Sequence, residues 1–355
     1  MLLLHSLAEF RELILESLEI AGARTIVEIG SEEAAFTREL LAWVERNDGE
    51  LHCVEPYPSP ALRELSRASE ALHLVEGRSP GVLESLWPCD AYVIDGDHNY
   101  ATVLQELLAI DQVRAPGRPG ALVFVHDIGW PCGRRDMYYS PKSLAPDVVH
   151  PFTYDHGVTL GCSKAVKGGH RGEGRFAWAV EEGGRRNGVL TAVEDFLDER
   201  DDLVFIKVPC IFGLGIIFPR SSRYAERMAN FLAFYDENVL LDRLEQNRLT
   251  LYLRVLELQD EKEGVIRGLQ DAHLHIRDLD AENRGLWART TELEGQVQRL
   301  SGRLASMSGE LVTMLHSRAF AVAERLSRLR RRATSEGPGL SRQRLQAVLE
   351  GEQRG

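Results

Sequence analysis

The chain has 355 residues, 44% of them hydrophobic and 27% charged, with a net charge of −12. It is longer than one average domain, and its acidic balance argues against a nucleic-acid binder, which presents a basic face. Five scattered cysteines without a CxxC pair argue against a zinc framework or a disulfide scaffold, so a reducing cytoplasm is expected. The start, Met1-Leu2-Leu3-Leu4, is too short an apolar run for a signal peptide, and Ile211 to Pro219 is too short to span a bilayer. The sequence therefore predicts a soluble protein with no transmembrane segment.

In chain order, residues 5–22 carry Leu7, Phe10, Leu13, Ile14 and Leu18 at helical spacing. Thr25 to Gly30 reads as a β-branched strand, and a helix is predicted over 33–47. Leu51 to Glu55 and Leu72 to Glu76 read as a second and third strand, each ending in an acid. Ala91 to Asp95 is a fourth, residues 100–113 a helix, and Ala121 to Val125 a fifth strand. This alternation predicts an α/β fold, a doubly wound and mostly parallel sheet. From Gly129 to about Arg185 the pattern dissolves into Gly, Pro, His and aromatic residues, which suits a long insertion beside an active site. A helix is expected near 187–199. Leu203 to Val208 and Gly213 to Phe218 then look like a terminal strand pair, one of them antiparallel. The sheet domain is expected to span 23–220.

The remainder differs in kind. Leu244, Leu251, Leu258, Val265, Ala272, Leu279, Leu286, Leu293, Leu300, Met307 and Met314 recur every seven residues. Leu241, Val255, Leu269, Ile276, Val297, Leu304 and Leu311 supply the companion positions, interrupted by Arg248, Lys262, Asn283 and Thr290. A heptad sustained this long predicts a coiled coil within 236–332. From Leu241 to Met314 such a helix would reach about 110 Å at about 1.5 Å per residue. Self-association through the Leu279 and Leu286 seam is expected, a dimer by default. Six arginines between Arg318 and Arg332 are read as a solvated helix end, with contact to acidic lipid or an acidic partner the rival account, and 333–355 as a disordered tail.

The chemistry concentrates where apolar runs end abruptly in polar groups. Val93-Ile94-Asp95-Gly96-Asp97-His98-Asn99-Tyr100 and Val123-Phe124-Val125-His126-Asp127 look like neighbouring buried strands whose C-terminal ends open into a site. The turn Glu28-Ile29-Gly30-Ser31 stands where a doubly wound sheet binds nucleotide-type ligands, and Gly30 would admit close approach to the backbone. Glu32 and Ala35 replace two glycines of a dinucleotide fingerprint, and Glu32 and Glu33 would repel a pyrophosphate. That suits a cofactor without phosphate. Glu55, ending the second strand, can accept from both ribose hydroxyls of an adenosine. After Asp127, Trp130 and Tyr138 are candidates to stack on a substrate ring, with structural packing the rival account. His150, His156 and His170 are further loop histidines that could enter the site.

The succession Glu28-Ile29-Gly30, Glu55, Asp95 and Asp127 resembles the class I S-adenosylmethionine-dependent methyltransferases. Among them it is most similar to the group of macrocin-type sugar O-methyltransferases and cephalosporin-hydroxylase-like proteins. The resemblance covers about 20–220, and Asp-Gly-Asp-His-Asn-Tyr is its most specific piece; the glycine-poor turn is its main departure. It implies a methyl-donor cofactor held by Glu28, Gly30, Ser31, Glu55 and Asp95, with Arg78 and Ser79 on the adenine side. It also implies a divalent cation, Mg²⁺ or Mn²⁺, on Asp95 and Asp127. His126 stands where relatives carry another acid; imidazole suits Mn²⁺, Fe²⁺ or Zn²⁺ better than Mg²⁺. As a third ligand, a substrate contact or a packed group, it has three possible roles. His98 sits at the offset of the general base, with Asp97 to orient it or to act as base itself. The implied activity is O-methylation of a sugar, glycan or secondary metabolite. Two rivals stand beside it: a non-catalytic scaffold module working through the coiled coil, and a metal-dependent hydroxylase or hydrolase.

Overall fold

β-Branched and aliphatic residues at strand spacing build the centre of the molecule. The computed structural model describes residues 5–86, 88–113, 120–333 and 341–352, so the expectation for Met1 to Leu4 lies outside the described residues. The elements follow in the order α1 (Arg11–Ala21), β1 (Thr25–Ile29), α2 (Ala35–Arg46), β2 (Glu50–Val54), α3 (Pro60–Ala68), β3 (Leu72–Val75), β4 (Ala91–Ile94), α4 (Tyr100–Gln112) and β5 (Leu122–His126). After an insertion come α5 (Val189–Leu197), β9 (Leu203–Val208), β10 (Leu214–Pro219) and α6 (Ala225–Leu232). The seven strands order as β3-β2-β1-β4-β5-β10-β9. β1 to β5 pair in parallel, and β10 runs antiparallel to both β5 and β9. The predicted fold class holds: a Rossmann-like, mostly parallel sheet with one antiparallel strand near its edge.

Alternation along each strand sends side chains to two cores. Ile26, Leu51 and Cys53 join residues of α1, α2, α3 and α6 on one face. Val27, Ile29, Val54, Tyr92 and Ile94 join α4 and α5 on the other. Because β1, β4 and β5 are parallel and adjacent, the turns after them open at one end of the sheet. That end collects Gly30, Asp95 and Asp127.

The insertion expected to be irregular contains a small antiparallel sheet, β6 (Met137–Tyr138), β7 (Phe152–Thr153) and β8 (Ala177–Ala179), in the order β6-β8-β7. Buried polar groups pin it. Asp136 accepts from the backbone N–H groups of Tyr100 and Gly188 and from the Tyr138 hydroxyl. The Arg135 guanidinium, 1% exposed, donates to the carbonyls of Ala179 and Ser163.

Two compact units divide the chain, residues up to Glu263 and from Gly264 onward. The first extends well past the expected end at 220. It includes the start of α7 (Val239–His316), where Glu245 and Leu249 are buried. In the second, α7 continues and is followed by α8 (Arg318–Ala333) and α9 (Arg342–Glu352). α9 stands where a disordered tail is expected, its first N–H donating to Glu324. Positions 334–340 and 353–355 of that expected tail lie outside the described residues. Within the second unit the heptad residues Val265, Leu279, Leu286, Leu293 and Leu300 are exposed. Among the described residues, no helix is long and apolar enough to cross a membrane.

A buried carboxyl supplies a test of the core. Glu106 of α4 is fully buried; one oxygen accepts from the Ser79 hydroxyl and the other has no hydrogen-bond partner. Burial pushes its pKa up to about 8, opposed by the Ser79 bond and aided by Asp97. The folded state therefore holds a proton that the unfolded chain releases near pH 4.5. Stability from this group is intact below that value and falls as pH rises through 8, at about 1.4 kcal/mol per pKa unit. Glu106→Gln is expected to flatten the decline of Tm between pH 5 and 8, measured by thermal denaturation. Equal slopes for the two proteins would contradict this.

Candidate active site

The first turn is tied together by one acid. Glu28 is buried, and its Oε2 accepts from Ser31 Oγ (3.0 Å), Thr37 Oγ1 (2.7 Å) and Cys53 Sγ (3.3 Å). Burial lifts its pKa to about 7 against the pull of these donors. Glu28 thus braces β1, α2 and β2 from within the core, with its Oε2 engaged by three side-chain donors. Gly30 has φ +85°, and a Cβ there would strike the Asp95 carbonyl and Gly96. The close neighbour that demands glycine is the turn after β4, which is locked against the turn after β1.

Glu55 is half-buried at the end of β2. Its Oε2 accepts from the Ser31 N–H (3.2 Å) and its Oε1 from the Tyr57 N–H (3.0 Å). Arg78 donates to the Tyr57 hydroxyl and to Ser143 of the insertion, at 3.2 Å each. Ser79, expected beside it on the cofactor, is spent on Glu106.

At the ends of β4 and β5 the ligand-type groups converge. Asp95, His98 and Asp127 offer ligand atoms all within 4.8 Å of one another. His98 Nδ1 lies 3.2 Å from Asp127 Oδ2, and both residues are largely buried. Asp127 has φ +61°, a left-handed conformation that costs a non-glycine residue of the order of 1–3 kcal/mol and is held by its surroundings. Asp97 stands outside this trio. Burial raises its pKa, opposed chiefly by the neighbouring His98, and its buried Oδ1 has no hydrogen-bond partner.

His126 departs from its expected place among the metal ligands. Its Nδ1 is 2.9 Å from Asp95 Oδ1 and its Nε2 is 3.1 Å from the Ile211 carbonyl. Both neighbours are acceptors, so both ring nitrogens carry hydrogen and neither has a lone pair for a metal. Burial draws the pKa down, but Asp127 and Asp95 outweigh it and lift the value to about 9. His126 is an imidazolium that holds Asp95 in place.

The residues around the trio also differ from expectation. Tyr138 is fully buried, donating to Asp136 Oδ2 (2.8 Å), and cannot stack on a substrate. Its neighbour Tyr139 is 45% exposed, with its ring 6.1 Å from that of His98. Tyr138 is the last residue of β6 and Tyr139 follows it, so the two neighbouring side chains leave the backbone on opposite sides. His150 and His156 bond within the insertion, to the Arg186 carbonyl and Thr153. His170 is packed among Trp178, Phe212 and Tyr252. Trp130 packs beside Phe212 and Leu249.

The base of α7 also serves the site. Glu245 Oε1 accepts from the Phe212 N–H (3.0 Å), and Arg248 binds Glu245 while lying 5.0 Å over the Phe212 ring. Ile211, Phe212 and Gly213 all have positive φ (52°, 63° and 86°), and this turn presents the Ile211 carbonyl to His126. A separate cavity of about 630 Å³, bordered by Asp90, Tyr92 and Arg223, opens at the other ends of the strands.

None of the curated proteins matches this chain in sequence. Similar solved structures include the SAH-bound methyltransferase PaMTH1 of Podospora anserina (13% identity, TM-score 0.36, 59% of this chain and 77% of that one). Another is a putative caffeoyl-CoA O-methyltransferase from Staphylococcus aureus (13%, 0.35, 59% and 83%). A third is the O-methyltransferase TomG from Streptomyces achromogenes in complex with SAM (19%, 0.33, 61% and 82%). Residues 27–128, which run from β1 through Asp127, match the family model of a methyltransferase domain. The part of the sheet that carries the converging acids and imidazoles is thus the part that is similar to a methyltransferase domain, on a Rossmann-like sheet.

Proposed function

We propose that the chain is an S-adenosylmethionine-dependent O-methyltransferase, assisted by a divalent cation, that acts on a hydroxyl of a sugar, glycan or secondary metabolite. The observation that carries this reading is the Asp95, His98 and Asp127 trio at the strand ends of the matched domain. The chain's groups fit the cofactor. Glu55 is fixed by two N–H donors and retains lone pairs for ribose hydroxyls. The turn offers the acids Glu32 and Glu33, which suit a cationic sulfonium better than a pyrophosphate. When bound, the cofactor supplies an electrophilic methyl group, and a cation on Asp95 and Asp127 lowers the pKa of the acceptor hydroxyl.

The protein then places and deprotonates. Asp127 holds His98 through Nδ1, which leaves the Nε2 lone pair for the acceptor proton. Tyr139, beside that ring, borders the acceptor. The His126 imidazolium offsets one of the two carboxylate charges, so the cation is held by less net charge than two bare acids would give. Incubation with methyl-labelled cofactor and a panel of hydroxylated sugars and phenols, with and without Mn²⁺, is expected to label an acceptor. His98→Gln should reduce that transfer by about 10²–10⁴-fold. Cofactor binding without transfer to any acceptor would favour a scaffold role.

The exposed heptad face of the second unit is assigned to a second copy of this chain, because its apolar repeat runs unbroken from Val265 to Met314. Leu279→Lys with Leu286→Lys is expected to convert a dimer to monomer in sedimentation velocity. A wild-type monomer would overturn this assignment.

A further inference from the structure

A second cluster of ligand-type side chains stands apart from the methyltransferase site. The parallel register of β2 and β3 sets His52 directly beside His73. Glu50 precedes His52 by two residues and so shares its face of the sheet. The two imidazole rings stack with centroids 4.8 Å apart and planes 28° from parallel. Each Nε2 lies 3.8 Å from the same atom, Glu50 Oε2, and all three ligand atoms fall within 4.8 Å of one another.

These separations are too long for hydrogen bonds and close to those of ligands sharing an ion. A tetrahedral metal with bonds of about 2.0–2.1 Å sets its ligands about 3.4 Å apart. The exposed Glu50 carboxylate can close the few tenths of an ångström to each imidazole by side-chain rotation, and the His73 ring, 44% exposed, is free to turn toward His52. The two histidines are fixed by adjacent strands, so little ordering is needed on binding. The His52 side chain is 14% exposed, His73 44% and Glu50 58%, which leaves a fourth position to water. Two imidazoles and one carboxylate favour zinc, copper or nickel over magnesium or calcium.

We propose that Glu50, His52 and His73 form a transition-metal site, with zinc as the ion of first choice, that fastens the edge strand β3 to β2. The site draws on none of the residues assigned to methyl transfer. β3 lies at the sheet edge, paired on one side only, and a metal bridge adds a cross-strand link there.

The test uses the full chain, stripped of metal by chelator, carrying Asp127→Asn so that the trio at the other end of the strands is disabled. Titration calorimetry with Zn²⁺ is expected to give one site per chain, weakened at least about tenfold by His73→Ala and by Glu50→Gln. Electron paramagnetic resonance of bound Cu²⁺ is expected to show coupling to two imidazole nitrogens, and to one after His73→Ala. Failure of Zn²⁺ to bind would overturn the proposal, as would binding that neither substitution weakens. If His73→Ala does not fold, a Cu²⁺ spectrum of the parent without two-nitrogen coupling overturns it equally.

Discussion

Replacing Asp95 by asparagine is expected to lower methyl transfer by at least about a hundredfold while leaving the fold intact. Asp95 is approached from two sides. The His126 imidazolium donates to Oδ1 at 2.9 Å, and His98 and Asp127 complete the trio. Asparagine keeps the shape but removes the charge that balances His126 and attracts the cation. An amide nitrogen facing His126 would set donor against donor, and an amide oxygen there would accept a weaker bond. The variant is expected to retain its thermal transition within a few degrees and to lose Mn²⁺ affinity in calorimetry. Unchanged transfer rates would remove Asp95 from the chemistry.

The second large effect is expected at a distance, in Glu245→Ala. Glu245 is 6% exposed and accepts from the Phe212 N–H, and Arg248 clamps it from the same helix. Its loss leaves that buried N–H without a partner, at a cost of about 1–3 kcal/mol. It also frees a turn in which Ile211 and Phe212 are both held at positive φ, an unfavourable conformation, above all for a β-branched residue. The Ile211 carbonyl then no longer fixes His126, and His126 no longer fixes Asp95. A fall in kcat of about 10–100-fold is expected, with S-adenosylhomocysteine affinity nearly unchanged, because Glu55 and Ser31 are not part of this chain of contacts. Glu245→Gln, which keeps an acceptor for Phe212, should recover part of the rate. Equal loss in both variants, or loss of cofactor binding alone, would contradict the relay.

Much of this arrangement was legible in the sequence, for identifiable reasons. Strands β4 and β5 announce themselves because a buried parallel strand is a solid apolar run, and Asp95 and Asp127 mark where each run stops. The order of Glu55, Asp95 and Asp127 along the chain sufficed to bring their strands together under right-handed crossovers. Helix α3 has no counterpart in the reading of the sequence, where Pro56, Pro58 and Pro60 mask its start; Pro60 sits at the first helical turn, which tolerates it, and Ser59 caps it. The role of His126 was out of reach: one of its two partners, the Ile211 carbonyl, lies 85 residues away in a turn with no local signature. The same holds for Glu245, which the heptad pattern assigns to a solvated coiled coil and the tertiary fold buries against Phe212. Tyr138 and Tyr139 are chemically alike, and only the pairing of β6 with β8 decides which one faces the site.

Calorimetric titration of the full chain with S-adenosylhomocysteine, in the presence and absence of Mn²⁺, tests the central claim most directly. The account predicts saturable binding at one site per methyltransferase domain, weakened at least about tenfold by Glu55→Ala, whose carboxylate would meet the ribose. Absence of binding under both conditions, or binding indifferent to Glu55, would contradict it.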